Sequence, residues 1–315
     1  MGFIKKACIT LLAVYMVYGG IQMSKRPKYY GMVLKETGKL TLDAVINKSP
    51  KITDEELYID THMHIRKPSN YQNGIEEIVE TAMEKVDVIM IMTHSRGNSN
   101  QFDYKTFTQA IEENPKYEIK DYGVYATVES EDGKLIAIKS QELGSNYGRD
   151  ILAIGCDRLI EPNQDIQKII KQIHEQSGIA IIAHPMSIKR KAFIPFSLAN
   201  EKQIKDLEIV YNHADAIEQF NSQNYLWLCR SNVLSELFTS EKKFPGTAGS
   251  DTHGDLEQIG LSGIIIKKNL LNMDNLIEDL RIAIKNKNFR THKEYPDPIK
   301  FYKIMVVPFI KKLIN

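Results

Sequence analysis

The chain has 315 residues, of which 43% are hydrophobic and 26% charged, and its formal net charge is +1. These values are ordinary for one large α/β domain with a sizeable core, and the near-neutral charge without a long basic tract argues against a nucleic-acid-binding surface. The three cysteines (Cys8, Cys156 and Cys229) have no spacing typical of a disulfide framework or a cysteine-based zinc site, which favours a reducing compartment.

An almost uncharged apolar stretch covers residues 7–23, with basic residues on both sides. We expect residues 1–24 to be an uncleaved membrane anchor, with the catalytic domain on the cytoplasmic side because the basic residues after the stretch outnumber those before it. A cleaved signal peptide is the alternative, since Val17-Tyr18-Gly19 offers a small-residue cleavage site. Residues 25–56 are predicted to be a polar connector.

Strand and helix patterns alternate from Leu57 onwards, which predicts a barrel over residues 57–290. Apolar runs separated by helical patterns are typical of buried parallel strands. Two further runs, 122–129 and 134–141, predict a hairpin with a tight turn. Helices are predicted over 74–85, 165–176, 201–212, 225–238 and 272–286. Residues 291–315 interleave apolar residues with lysines and are predicted to be an amphipathic segment, packed on the barrel or lying at a membrane surface.

Five of the eight histidines fall at the ends of apolar runs. His62 and His64 are two residues apart on the first strand, so both side chains point to one face. His94 and His184 end later runs, and Asp251-Thr252-His253 follows another. Since ligands gather at the carboxyl ends of strands in such folds, the pattern predicts a divalent-metal site.

The motifs resemble the polymerase and histidinol phosphatase (PHP) superfamily of metal-dependent phosphoesterases. The resemblance spans about residues 57–260 and follows the family's order in six places: Asp60-Thr61-His62-Met63-His64, Thr93-His94, Gln141-Glu142, Ala183-His184-Pro185, Glu218-Gln219-Phe220-Asn221 and Gly249-Ser250-Asp251-Thr252-His253. It implies a distorted (β/α)7 TIM-like barrel with two or three divalent metal ions. Zn²⁺, Mn²⁺ or Fe²⁺ would suit the mixture of imidazole and carboxylate ligands better than Mg²⁺.

The resemblance also implies a role for each matching residue. His62, His64 and Asp251 would bind the first metal, Glu142 would bridge two metals, and His184 would hold the second. His94 and His253 would face a third position. Asp60 would orient a ligand or stabilise the strand end. Asp157 is an alternative to Glu142 as the bridging carboxylate.

Three departures from the family pattern concern the metals. The aspartate usual before the second-strand histidine is absent, since Met92 and Thr93 precede His94. A histidine expected at the next strand start is replaced by Asp150, which can still ligate a cation. Ser69 and Asn70 stand where another histidine is usual. A centre of two metals with a weak third site is therefore expected.

Substrate contacts are expected from cationic and polar side chains beside the metals. The candidates are Arg96, Lys189 and Arg190, with Glu218 and Asn221 as substrate-facing or supporting residues. The catalytic group would comprise Glu142, Asp251 and Arg96. His174, His213 and His292 are interpreted as structural.

The expected function is hydrolysis of a small phosphomonoester or nucleotide, with a hydroxide bridging the metals as the nucleophile that the resemblance implies. One alternative is an amidohydrolase-type metal hydrolase. Another is a non-catalytic, membrane-associated PHP-like module.

Overall fold

The computed structural model describes residues 51–65, 74–94, 103–146, 148–186, 201–224, 229–253 and 255–296. The expected anchor (1–24), most of the expected connector and residues 297–315 lie outside these ranges, so the anchor, signal-peptide and surface-helix predictions are not tested. Among the helices in the described ranges, none combines the length and the apolar character that crossing a membrane requires.

The described part of the chain alternates between strands and helices. Its strands are β1 (Glu56–Met63), β2 (Val88–His94), β3 (Glu118–Asp121), β4 (Tyr125–Ser130), β5 (Gly133–Gly144), β6 (Asp150–Ile154), β7 (Ile179–Ala183), β8 (Ala216–Asn221), β9 (Gly246–Gly249), β10 (Gly263–Lys267) and β11 (Phe289–His292). Its α-helices are α1 (Ile75–Lys85), α2 (Tyr104–Glu112), α3 (Ile166–His174), α4 (Glu201–Val210), α5 (Cys229–Lys242) and α6 (Leu276–Lys285). The five predicted helices correspond to α1, α3, α4, α5 and α6, and the predicted hairpin is β4–β5. The short elements α2, β3 and β11 were not predicted, and β11 crosses the expected domain boundary at residue 290.

Seven strands form a nearly closed barrel in the order β1–β2–β5–β6–β7–β8–β9. The ring closes just beyond β9, where the amide of Asp251 donates to the carbonyl oxygen of His62 at 2.7 Å and the amide of His64 donates to that of Thr252 at 3.0 Å. β10 pairs antiparallel with the first half of β1, on the edge opposite β2, and β11 pairs antiparallel with β10. The α/β barrel expected from the sequence is thus confirmed as a nearly closed, mixed sheet.

One strand of the barrel departs from the parallel arrangement expected of the apolar runs. β6 is antiparallel to both β5 and β7. The connection from β5 to β6 spans only Ser145–Arg149, which is too short for the crossover that a parallel neighbour needs. The reversal brings the first residue of β6, Asp150, to the edge where the neighbouring strands end.

Alternation along the strands divides the core into an inner and two outer clusters. Inner residues such as Ile59, Met90, Ile138 and Ile181 pack together with the apolar face of α6. The opposite faces of the strands pack against α1 and α2 on one side of the barrel and against α3, α4 and α5 on the other. Because the inner cluster fills the barrel, polar side chains on the inner face collect at its open end.

Candidate metal centre

Every described part of the predicted metal site lies at one edge of the barrel. His62 lies near the end of β1 and His64 directly follows it, Glu142 lies near the end of β5, and Asp150 begins the reversed β6. His184 follows β7, and Asp251 and His253 follow β9. These side chains form overlapping groups whose ligand atoms lie within 4.8 Å of one another. We call His62, His64, Glu142, Asp150, His184, Asp251 and His253 the histidine–carboxylate cluster.

Three side chains of this cluster, those of His62, His64 and Asp251, have the spacing of ligands around one ion, and Glu142 lies beside His64 and 4.0 Å from His62 Nε2. The Nε2 atoms of His62 and His64 are 3.2 Å apart. Asp251 Oδ1 lies 3.3 Å from the first and 3.5 Å from the second, and Glu142 Oε2 lies 3.3 Å from His64 Nε2. A tetrahedral ion with bonds of about 2.0–2.1 Å separates its ligand atoms by about 3.3–3.4 Å. The geometry therefore fits a zinc-sized divalent ion.

Glu142 directs its two carboxylate oxygens to different groups of candidate ligands. Oε2 faces His64, whereas Oε1 lies 3.2 Å from His184 Nε2. His184, Asp150 and Glu142 form one group, and His62, His64 and Glu142 form another. A carboxylate shared in this way is the arrangement of a bridging ligand. Asp157, the alternative bridge, has a side chain that is 75% exposed and lies 3.5 Å from Lys139, away from the cluster.

A third group comprises His64, Asp251 and His253. The rings of His64 and His253 stack with centroids 4.5 Å apart, and His253 Nδ1 lies 2.8 Å from the carbonyl oxygen of Asp251. His94 ends β2 with its backbone opposite Glu142 in the β2–β5 pairing. Its side chain is not among the described ones, nor are Ser69, Asn70, Arg96, Lys189 and Arg190, so the roles expected of these residues stay predictions.

The electrostatics of the cluster favour bound positive charge. Burial alone would lower the pKa of His62, but the charges of Asp251, Glu218 and Glu142 outweigh it and raise that pKa well above its ordinary value. Burial also acts to lower the pKa of His184, but the contact with Glu142 outweighs it and raises that pKa to about 9. His64 differs, because burial lowers its pKa. Asp251 Oδ1 is buried and accepts no hydrogen bond from a described residue. A buried carboxylate oxygen in this state is well suited to bind a metal ion.

Glu218 and Asn221 lie beneath the cluster, where each is 1% exposed. Glu218 Oε1 lies 2.9 Å from His62 Nδ1, and its Oε2 accepts the backbone amide of His184 at 2.8 Å. Asn221 Nδ2 donates to Glu218 and to Asp251 at 3.0 Å each. Their polar atoms are engaged inside the site, so of the two roles expected of them, substrate-facing or supporting, the contacts favour the supporting one over the substrate-binding one. Asn232, which bonds to Asn221, carries no motif in the sequence and was not foreseen.

Backbone strain accompanies the ligands. His184 and Asp251 have φ angles of 25° and 50°, a region that non-glycine residues seldom adopt. Asp60, fully buried before His62, accepts backbone amides of Ser250 and Gly260 at 3.0 and 3.1 Å. It therefore ties the end of β1 to the segments after β9, which agrees with the strand-end role expected of it.

The histidines interpreted as structural lie away from the cluster. His174 on α3 contacts Asp215 at 2.9 Å, and His213 lies exposed in the turn after α4. His292 on β11 packs its ring against Tyr58, with centroids 5.8 Å apart.

No family model matches the chain, and no curated protein matches it in sequence. Solved structures do share its fold. PsfC from Pseudomonas syringae PB-5123 has a TM-score of 0.54 at 13% identity, over 82% of this chain and 99% of that one.

Two further structures have lower scores. A two-domain protein from Bacteroides vulgatus ATCC 8482 that contains a predicted PHP-like metal-dependent phosphoesterase has a TM-score of 0.49 at 13% identity, over 79% of this chain and 69% of that one. The lesion-specific endonuclease PfuEndoQ from Pyrococcus furiosus has a TM-score of 0.46 at 15% identity, over 75% and 57%.

At 13% identity the likeness to PsfC is one of fold alone. The two structures with scores below 0.5 carry no argument about this chain. The expectation that the chain carries no nucleic-acid-binding signature stays a prediction.

Proposed function

We propose that the protein is a metal-dependent phosphoesterase that acts on a small phosphomonoester or nucleotide. The observation that carries the proposal is the position of Glu142, whose two oxygens face two different groups of candidate ligands. A paired divalent centre is the type of site that activates water near neutral pH and stabilises the charge on phosphate oxygens.

The residues of the chain prepare this centre in three ways. Glu218 lies 2.9 Å from His62 Nδ1, where it would accept the Nδ1 proton of a neutral ring and direct Nε2 towards the cluster. The same carboxylate fixes the backbone of His184. Burial of His62 and His64, which are 0% and 1% exposed, keeps water from competing for their ring nitrogens, whereas His184 and His253 stand at the more open side.

The choice of phosphoesters over amides rests on two features. Glu142 takes the bridging position that amidohydrolases give to a carbamylated lysine or its equivalent, and Asp251 is accompanied by His253 instead of standing alone. The sequence adds the expected cationic contacts Arg96, Lys189 and Arg190. The near-neutral charge favours a small substrate over a long nucleic acid.

The test is a hydrolysis screen of the full chain with Mn²⁺, using phosphomonoesters, nucleotides and a phosphodiester beside an amide and deaminase panel. Glu142→Gln and His64→Ala should each lower the rate of phosphoester hydrolysis by at least about 100-fold. Each substitution removes a metal ligand itself, which costs more than the loss of a residue that only holds a ligand in place. His213→Ala is the matched control, since that histidine is exposed and outside the cluster, and it should keep the wild-type rate. Equal rates in all four proteins, or hydrolysis confined to the amide panel, would overturn the proposal.

A further inference from the structure

A second layer of buried polar side chains lies behind the histidine–carboxylate cluster. It consists of Asn221 at the end of β8, Asn232 on α5 and Tyr295 beyond β11, which are 1%, 1% and 4% exposed. We call these three residues the supporting chain. Buried polar groups of this kind are costly unless they are hydrogen-bonded, so the bonds that they make indicate what they do.

Asn221 separates two carboxylates. Its Nδ2 donates at 3.0 Å to Glu218 Oε2 and at 3.0 Å to Asp251 Oδ2. Its Oδ1 accepts the backbone amide of Gln223 at 2.9 Å, which leaves only the amide nitrogen to face the carboxylates. The first carboxylate holds His62 and the second belongs to the cluster. A donor between two negative charges keeps both at fixed positions where they would otherwise repel each other.

Asn232 and Tyr295 hold Asn221 in turn. Asn232 Oδ1 accepts the backbone amide of Asn221 at 3.0 Å, and Asn232 Nδ2 donates to the Asn221 carbonyl oxygen at 3.0 Å. The same Nδ2 donates to the Tyr295 hydroxyl at 3.1 Å. The Tyr295 ring packs against Phe220, with centroids 4.8 Å apart. α5 and the segment after β11 therefore fix the backbone from which the Asn221 side chain projects.

The segment that carries Tyr295 is itself anchored. The Ser222 and Ser262 hydroxyls donate to the carbonyl oxygen of Glu294 at 2.9 and 3.1 Å, and the Glu294 amide donates back to the Ser262 hydroxyl at 3.1 Å. These bonds join the last described residues to the loops after β8 and before β10. The position of Tyr295 is therefore set by the barrel edge that carries the cluster.

We propose that Asn221 is a positioning residue for the metal centre and that Asn232 and Tyr295 set its position, so that residues beyond the last strand help to shape the site. Asn221 touches neither substrate nor metal in this role. It acts by keeping Glu218 against His62 and Asp251 against the other ligands. The inference rests on the proposed function, since it requires that the cluster binds metal.

The experiment measures Mn²⁺ affinity of the EDTA-stripped full chain by calorimetry, beside the melting temperature of each metal-free protein. Asn221→Leu keeps the approximate shape of the side chain and removes its donor, and it should raise the Kd by about 10–100-fold. Tyr295→Phe removes one hydroxyl and should raise the Kd by about 2–10-fold. Thr239→Val is the matched control, because the Thr239 hydroxyl is equally buried but bonds to Gln219, the outward-facing neighbour of Glu218. Its Kd should equal that of the wild type.

The outcomes separate the inference from the proposed function. If the wild type binds Mn²⁺ and His64→Ala does not, the metal centre stands. An unchanged Kd in Asn221→Leu and Tyr295→Phe, even with lower melting temperatures, would then assign these residues a structural role only and overturn the inference. If Asn221→Leu does not fold, the Kd of Tyr295→Phe relative to Thr239→Val decides. A wild type that binds no Mn²⁺ would overturn both proposals.

Discussion

A methyl group added at Gly249 should disturb the metal centre without touching any ligand atom. Gly249 ends β9 against the end of β1. A Cβ at this position would lie 2.5 Å from His62 Cβ, 3.1 Å from the His62 amide nitrogen and 2.9 Å from Glu218 Oε1. The His62 atoms belong to a buried strand, so they cannot swing aside as the end of a flexible side chain can.

The size of the effect follows from these distances. Relief of the 2.5 Å contact to an ordinary 3.4 Å requires a shift of 0.9 Å between β1 and β9. Metal–ligand distances tolerate only about 0.2 Å, so the ring of His62 would leave its ligand position. Gly249→Ala should lower the free energy of unfolding by about 1–3 kcal/mol and raise the Kd for Mn²⁺ by at least about 10-fold.

Gly246→Ala provides the control in the same strand. The three atoms nearest to an added Cβ there all belong to the Gln219 side chain, which is flexible and can move away. Urea unfolding of the metal-free proteins gives the stability, and calorimetry gives the Kd. If Gly249→Ala bound Mn²⁺ as tightly as Gly246→Ala, the packing of β9 on His62 would not control the ligand, and the reasoning would fail.

Two further predictions concern ion pairs away from the cluster. Glu56 accepts a hydrogen bond from Arg290 at 2.9 Å, and this contact lowers its pKa to about 2. Because the pKa of Glu56 is lower in the folded protein than in the unfolded chain, the stabilisation is present above pH 4.5 and is lost as pH falls towards 2. Glu56→Gln should therefore melt at a lower temperature than the wild type at pH 6 but not at pH 2. A difference in melting temperature that stays constant with pH would refute this. Asp215 is 1% side-chain exposed and accepts from the Ala180 amide and His174 at 2.9 Å each, so Asp215→Asn should cost about 1.5–3 kcal/mol of unfolding free energy. Its Kd for Mn²⁺ should not change, and a weaker metal affinity would show that the far end of the barrel does influence the site.

The convergence of the ligands was predictable because it depends on short-range pattern. Strand alternation places His62 and His64 on one face, and apolar runs ending in His184 or Asp251 place those residues at the same edge. The reversal of β6 was not predicted, although the sequence contains a signal for it: residues 145–149 are too few for the crossover connection that a parallel strand needs. That signal lies in the length of a connection, which periodicity does not measure.

The support of the ligands could not be predicted in the same way. Glu218 pairs with His62 across 156 positions of sequence, and Asn232 meets Tyr295 across 63. Such contacts depend on how strands and helices pack in three dimensions, and no local spacing encodes them. For Glu218 and Asn221 the sequence therefore left a substrate-facing and a supporting role open, and only the contacts in the structure favour the supporting one.

The direction of β1 has a practical consequence for handling the protein. The strand begins at Glu56, beside the contact of Arg290 with the Lys51 carbonyl oxygen, and reaches His62 about 20 Å further along. A fusion or surface attachment made through the residues before Lys51 joins the described barrel at the pole opposite the cluster and leaves the mouth of the site facing outward.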